Sequence, residues 1–241
     1  MERFAILDFD GTLSKGFISM AFIEYLHVSG AYSEECYKEQ MEILKMYKNK
    51  ELPYDDWCER WGVLLAEGLR GRRTDDISKQ ASSFFETFKP NIHMSSYELV
   101  HGLKELGFVP VLMSMSAYEA VSLAAKDLGI GIVYGTVSEK RDGTYTGRVE
   151  TGLHLPGGKE EALRRFSAKS SLEGSIGVGD SISDRGMLEM VGVSIALNPT
   201  EELKRLAEKR HWQILTSENV MDWVRERIRK KAEGKNAKRI F

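Results

Sequence analysis

The chain has 241 residues, of which 42% are apolar and 29% charged. This is the balance of a soluble globular protein and excludes extended disorder or a collagen-like design. The length predicts one large domain, or a main domain with a smaller insert, with a core large enough to fold without disulfide or metal staples. Thirty-four Lys and Arg against 36 Asp and Glu give a net charge of −2, so no global basic field points to nucleic acid. The charge is uneven: residues 225–239 hold eight Lys or Arg against Glu226 and Glu233, which leaves the rest of the chain at −8. Such a basic tail reads first as a solvated helix end whose cations match the helix dipole, and second as a contact for an acidic partner. No apolar run approaches the roughly 20 residues that span a bilayer. The first residues lack the order of a signal peptide, and two cysteines, Cys36 and Cys58, make no disulfide framework. Together these features predict a cytoplasmic protein with no membrane partner.

In chain order, residues 4–7 form an apolar run that ends in Asp8-Phe9-Asp10-Gly11-Thr12, the pattern of a buried strand followed by a functional loop. Residues 17–28 are rich in apolar helix formers. Pro53 opens a second helix, where its missing N–H costs nothing, and Tyr54, Trp57, Trp61, Leu64 and Leu65 then recur at helical spacing. Thr74-Asp75-Asp76 starts a third helix that runs to about Phe88, where Pro90 stops it. The stretch 15–89 is therefore expected to be all-helical.

Beyond Pro90 strands and helices alternate. Ser95 or Ser96 is expected to cap a helix that Gly107 ends, and residues 108–113 to form a strand. Ser116 is expected to cap a helix reaching Gly129, followed by extended chain over 130–137. Asp142-Gly143 lies between two β-prone runs and predicts a hairpin. A helix after Gly157-Gly158, a strand over 175–178, a helix opened by Asp184, a strand at Val193–Leu197, a helix capped by Thr200, a short strand at Gln213–Leu215 and a last helix complete the chain. This alternation predicts an α/β fold: a parallel sheet with helices on both faces. The helical stretch interrupts the pattern after its first strand and is expected to be a cap over the carboxyl edge of the sheet, where ligands bind in such folds.

Four places carry chemistry. Asp8 and Asp10 lie two apart on an extended segment, so their carboxylates stand side by side, which is costly without a cation between them. Gly11 permits the sharp turn. These residues suit a nucleophile and an acid–base partner around a hard metal ion. Gly177-Val178-Gly179-Asp180-Ser181-Ile182-Ser183-Asp184 repeats the arrangement and adds two carboxylates, an oxygen set that suits Mg²⁺ better than zinc. Ser114 ends a strand just before a helix, where a hydroxyl and free N–H groups can hold phosphate. Lys159 follows two glycines at a helix start and supplies a point positive charge. Taken singly, each also reads as a turn, a cap or a surface lysine.

In this order the motifs resemble the haloacid dehalogenase-like hydrolases, over nearly the whole chain. The helical insert after the first motif and the Asp-Gly hairpin before Lys159 are similar to the phosphoserine-phosphatase-like branch. The stretch Ala196-Leu197-Asn198-Pro199-Thr200-Glu201-Glu202-Leu203 through His211-Trp212 is similar to it as well. The resemblance implies a Rossmann-like core (1–14 and 90–241), a helical cap (15–89) that selects substrate, and Mg²⁺-dependent hydrolysis of a small phosphorylated metabolite. It implies Asp8 as the nucleophile and Asp10 as the acid–base group, with Asp8, the backbone carbonyl of Asp10 and Asp180 holding the metal and Asp184 supporting it. Ser114, Lys159 and Gly11 would meet the phosphate. Asp10 is expected to have a raised pKa, because it must carry a proton in the first step.

The cap departs from phosphoserine phosphatase. That branch places a Glu seven residues after the second Asp, where this chain has Phe17. The cap arginine that reads a carboxylate has no secure match, since Arg60 is near but Trp61 takes the equivalent place. Phe17, Met20, Trp57 and Trp61 either line an apolar pocket or pack the cap's own core. Alternatives left open are phosphoserine phosphatase proper, a phosphotransferase or mutase with the same site, and a non-catalytic binding protein. Oligomeric state, monomer or homodimer, is not legible in the sequence.

Overall fold

The computed structural model describes residues 2–167 and 171–233. Strand β1 (Arg3–Leu7) lies at the centre of a seven-stranded sheet. On one side of it come β2 (Phe108–Ala117), β3 (Ile132–Arg141) and β4 (Thr144–Thr151). On the other come β5 (Ile176–Gly179), β6 (Val193–Leu197) and β7 (Gln213–Leu215). Every pairing is parallel except β3–β4. The central strands are covered on both faces and so read as continuous apolar runs. Successive side chains divide between two cores. Ala5, Leu7 and Leu112 face one apolar layer, and Phe4, Ile6, Val111 and Met113 the other. The first layer is built with α5 (Met94–Glu105), α6 (Tyr118–Asp127) and α10 (Val220–Ala232). The second is built with α7 (Gly158–Ser167), α8 (Arg185–Glu189) and α9 (Glu201–Arg210). The chain winds outward in opposite directions from β1, which puts a crevice at the carboxyl ends of β1 and β5.

Between β1 and α5 run four helices: α1 (Ile18–Val28), α2 (Glu34–Lys48), α3 (Tyr54–Gly68) and α4 (Thr74–Phe88). Helix α2 has no counterpart among the expected elements. Its buried positions are Cys36, Gln40 and Ile43, and the polar Gln40 in the middle breaks the apolar period. That amide is satisfied internally, accepting from the Tyr32 hydroxyl at 3.0 Å and donating to Trp61 O at 3.4 Å.

The helical insert is tied to the sheet at two places. At its base, Lys15 N donates to Asn91 O at 2.8 Å and His93 N to Leu13 O at 3.0 Å. At the β3–β4 hairpin, Gly71 N donates to Tyr145 O, Tyr145 N to Arg72 O and Thr74 N to Gly143 O, at 2.9, 3.0 and 2.9 Å. The hairpin turns on Asp142 and Gly143, whose φ values of 50° and 73° are both positive, as a tight two-residue turn requires.

Two expected caps are corrected. Ser116 lies inside β2, which continues to Ala117, and α6 starts at Tyr118. The strand is prolonged because Ala117 pairs with Thr136 beyond an irregularity, a long-range contact that outweighs local propensity. Helix α5 begins at Met94, and Ser96 inside its first turn donates to Leu13 O at 2.8 Å. Asp184 does stand where α8 opens, at the end of a 3₁₀ turn, and its carboxylate folds back to accept from Asp180 N and Ser181 N, both at 3.1 Å. Thr200 does precede α9, without a side-chain cap bond.

Cys36 and Cys58 are buried and unbridged. Among the described residues no helix is long and apolar enough to cross a membrane. The basic tail falls partly outside the described residues, at 234–241. Within α10, Arg225 pairs with Glu98 and Asp222, and the Arg227 guanidinium lies 3.5 Å from the centre of the Trp223 ring.

Helix α3 meets the core closely at Gly62, where an added Cβ would lie 2.1 Å from the buried His154 ring. A Gly→Ala change inside a helix normally stabilises by up to about 1 kcal/mol. Here the overpacking dominates, and Gly62→Ala is expected to lower stability by about 1–3 kcal/mol in urea unfolding. His154→Ala in the same chain should recover part of the loss.

Candidate active site

The β1 ladder runs one residue past the strand, because Asp8 N donates to Val178 O at 2.9 Å. This brings the end of β1 beside the end of β5 and sets Asp8 against Asp180. The chain then turns sharply: the amides of Thr12, Leu13 and Ser14 all point to Phe9 O, at 3.3, 2.9 and 3.1 Å. Gly11 sits in the turn with φ +84°, and a Cβ there would lie 2.5 Å from Asp180 Oδ2. Both facts call for glycine. The Gly11 amide donates to Ser14 O at 3.1 Å, so in this state it serves the turn and is not free for a phosphate.

Lys159, near the start of α7, is buried and bridges two carboxylates. Its Nζ donates to Asp8 Oδ1 and, at 2.7 Å, to Asp184 Oδ1. The Thr12 hydroxyl lies 2.9 Å from Asp8 Oδ2 and 3.0 Å from Asp180 Oδ1. Carboxylate oxygens of Asp8, Asp180 and Asp184 fall within 4.8 Å of one another. Burial raises the Asp8 pKa well above the carboxylate range, and the charges of Asp184, Asp180 and Asp10 add to it against Lys159. Burial, then Asp184, pushes Asp180 up to about 6. Burial alone would lower Lys159, but Asp184 and Asp8 raise it above its ordinary value and keep it charged. One buried ammonium does not neutralise three carboxylates. A hard divalent cation fits this set, because every donor is oxygen and the residual charge is negative.

Asp10 is turned away from that cluster. Its Oδ1 accepts from Ile18 N at 2.7 Å, and its Oδ2 from Ser116 Oγ at 2.7 Å and Ser114 Oγ at 3.0 Å. Burial raises its pKa while these three donors oppose the rise, in the direction the sequence reading expected. Ser114 thus reaches the site through Asp10. Ser116, read from the sequence as a cap, and Thr12, given no role there, are brought into the site by the structure. Their signal in the sequence is faint: a second Ser two residues after the first, on the same strand face, and a hydroxyl inside the acidic turn.

The insert contributes from above. Tyr54, the first residue of α3, directs its hydroxyl to Met115 Sδ at 3.7 Å. With Cys58 one turn on, it helps to line a cavity of about 600 Å³ that opens onto Lys159. Trp57 and Trp61, only 7% and 3% exposed, pack with Phe17 at ring distances of 6.0 and 5.4 Å. Neither indole lines this cavity, so the packing reading holds there.

The hydrogen bonds to Asp10 stabilise its charged form. Replacing both Ser114 and Ser116 by Ala is therefore expected to raise the Asp10 pKa further. A carboxyl-carbon NMR titration of wild type and double variant measures this, and an unchanged or lowered midpoint contradicts it.

Three kinds of similarity accompany this geometry. The sequence model described as haloacid dehalogenase-like hydrolase matches residues 5–189. A phosphoserine phosphatase of Mycobacterium tuberculosis is 34% identical over 105 residues, which are 43% of this chain and 34% of that protein. A phosphoserine phosphatase of Streptomyces coelicolor is 24% identical over 208 residues, 86% of this chain and 46% of that one. The chain thus spans less than half the length of these curated relatives. A Bordetella pertussis protein of unknown function has the same fold, with a TM-score of 0.79 and 23% identity, over 90% of this chain and 99% of its own.

Proposed function

The chain belongs to the haloacid dehalogenase-like hydrolase family, and from that premise we propose that it is a Mg²⁺-dependent phosphatase of small phosphomonoester metabolites, acting through an aspartyl-phosphate on Asp8. The observation that carries the reading is the buried Lys159 shared by Asp8 and Asp184, with Asp180 within metal-sharing distance. The core is taken as 1–14 and 90–241, and the substrate-selecting cap as 15–89.

Asp8 and Asp180, with the backbone carbonyl of Asp10, would hold Mg²⁺, and Asp184 would support it. The ion supplies positive charge to phosphoryl oxygens as the transition state forms. A carboxylate attacking an anionic phosphoryl group is opposed by like charge, and Lys159 offsets that repulsion. An Asp8 oxygen bonds to phosphorus as the bond to the leaving oxygen breaks, and Asp10 gives that oxygen its proton. Asp10, now a carboxylate held by Ser114, Ser116 and Ile18 N, takes a proton from water. The water oxygen attacks phosphorus, the bond to Asp8 breaks, and phosphate departs. Two modest steps replace one hard one. Lys159 would meet a phosphoryl oxygen, Ser114 would act through the Asp10 carboxylate it holds, and Gly11 makes room for Asp180.

Phosphate release from p-nitrophenyl phosphate and a metabolite panel tests this. Wild type should turn over with Mg²⁺ and stop with chelator. Asp8→Asn should lose about 10⁴-fold or more, and Asp10→Asn about 10²–10⁴-fold. Full activity in Asp8→Asn, or in chelator, would overturn the proposal.

A further inference from the structure

We infer that the substrate's organic half carries no anionic group: the structure assigns the site to phosphomonoesters of neutral or cationic alcohols. This rests on the phosphatase reading and adds to it the charge and surface of the leaving-group cavity.

The cavity beside Lys159 runs between the start of α3 and the loops after β4 and β5. Its apolar wall includes Tyr54, Cys58, Met115, Leu153 and Ile182. Two cationic side chains line it, Lys159 and Arg185, and both are engaged. Lys159 is held by Asp8 and Asp184. Arg185 Nε donates to Glu189 Oε1 at 3.2 Å, and that same oxygen takes Arg210 at 2.8 Å. His154, also in the lining, is buried among neighbours that keep it neutral, its pKa lowered to about 4 by that burial.

Four carboxylates face the same space: Asp55, Glu160, Glu189 and Glu202. Glu160 is paired with Arg164, and Glu189 with Arg185 and Arg210. Asp55 and Glu202 are exposed on the rim and have no ion-pair partner among the described residues. A carboxylate or second phosphate on the leaving group would therefore meet uncompensated negative charge. Arg185, the guanidinium in that lining among the described residues, already has its charge met by Glu189 through Nε, so it offers an incoming carboxylate no net positive charge. A neutral alcohol meets no such opposition, and a substrate ammonium is attracted by Asp55 and Glu202. Discrimination here acts by repelling the wrong charge as much as by attracting the right one.

Matched pairs that differ by one carboxylate test the inference: ethanolamine phosphate against phosphoserine, and glycerol 1-phosphate against 3-phosphoglycerate. In each pair the member without the carboxylate should have the higher kcat/KM, by about tenfold or more. Asp55→Lys and Glu202→Lys, both exposed changes, should each move the ethanolamine phosphate to phosphoserine ratio several-fold toward phosphoserine, chiefly through KM. Equal or faster turnover of a carboxylate member overturns the inference. So does a ratio unmoved by either charge reversal, or p-nitrophenyl phosphate turnover with no turnover of any paired compound. If p-nitrophenyl phosphate itself is not hydrolysed, the phosphatase reading falls first, and this inference with it.

Discussion

The arrangement at the end of β1 depends on one buried ion contact, Lys159 shared between Asp8 and Asp184. Carboxylates packed this closely without water repel one another. A buried ammonium with two carboxylate partners offsets part of that repulsion, and breaking such a contact from one side is far costlier than its net contribution to stability. Three separate segments must converge to make it: the loop after β1, the start of α7 and the turn after β5. The parallel order β2-β1-β5 achieves this by placing those loops at one edge of the sheet. What remains is a site with net negative charge and oxygen donors only, which suits a divalent cation and, with it, an anionic phosphoryl group.

The helical insert is held against this edge at its base and again at the hairpin, through backbone hydrogen bonds at both. Tyr54 and Cys58 are thereby set over Lys159, with Met115 in contact. On the proposed reading, activity and selectivity are divided between parts of the chain: the sheet edge would hold the groups that meet phosphate, and α3 together with the loops around it would shape the space beside them.

Much of this was legible from residue order because the signals are local. The helix Thr74–Phe88 and the strands Val193–Leu197 and Gln213–Leu215 stand where caps, prolines and apolar runs put them. Asp8, Asp10, Asp180, Asp184 and Lys159 were visible because each sits close to a strand end or helix start, whereas Ser114 was picked out as a strand end and in fact lies inside β2, which runs on to Ala117. Helix α2 was not, since Gln40 at its buried centre interrupts the apolar period while finding its partners in Tyr32 and Trp61. Ser116 was misread because a serine before a helix looks like a cap, and only the distant pairing of Ala117 with Thr136 keeps it in a strand. The place of Tyr54 over Lys159 depends on helix packing, to which local patterns are blind.

The central claim, that Asp8 is the atom donor to phosphorus, is tested most directly by acid quenching during turnover followed by peptide mass spectrometry. The account predicts a phosphoryl group on the peptide at Asp8, formed with substrate and Mg²⁺, absent with chelator and accumulating when Asp10→Asn slows its release. Turnover with no covalent phosphoryl group, or with one on a residue other than Asp8, would contradict it.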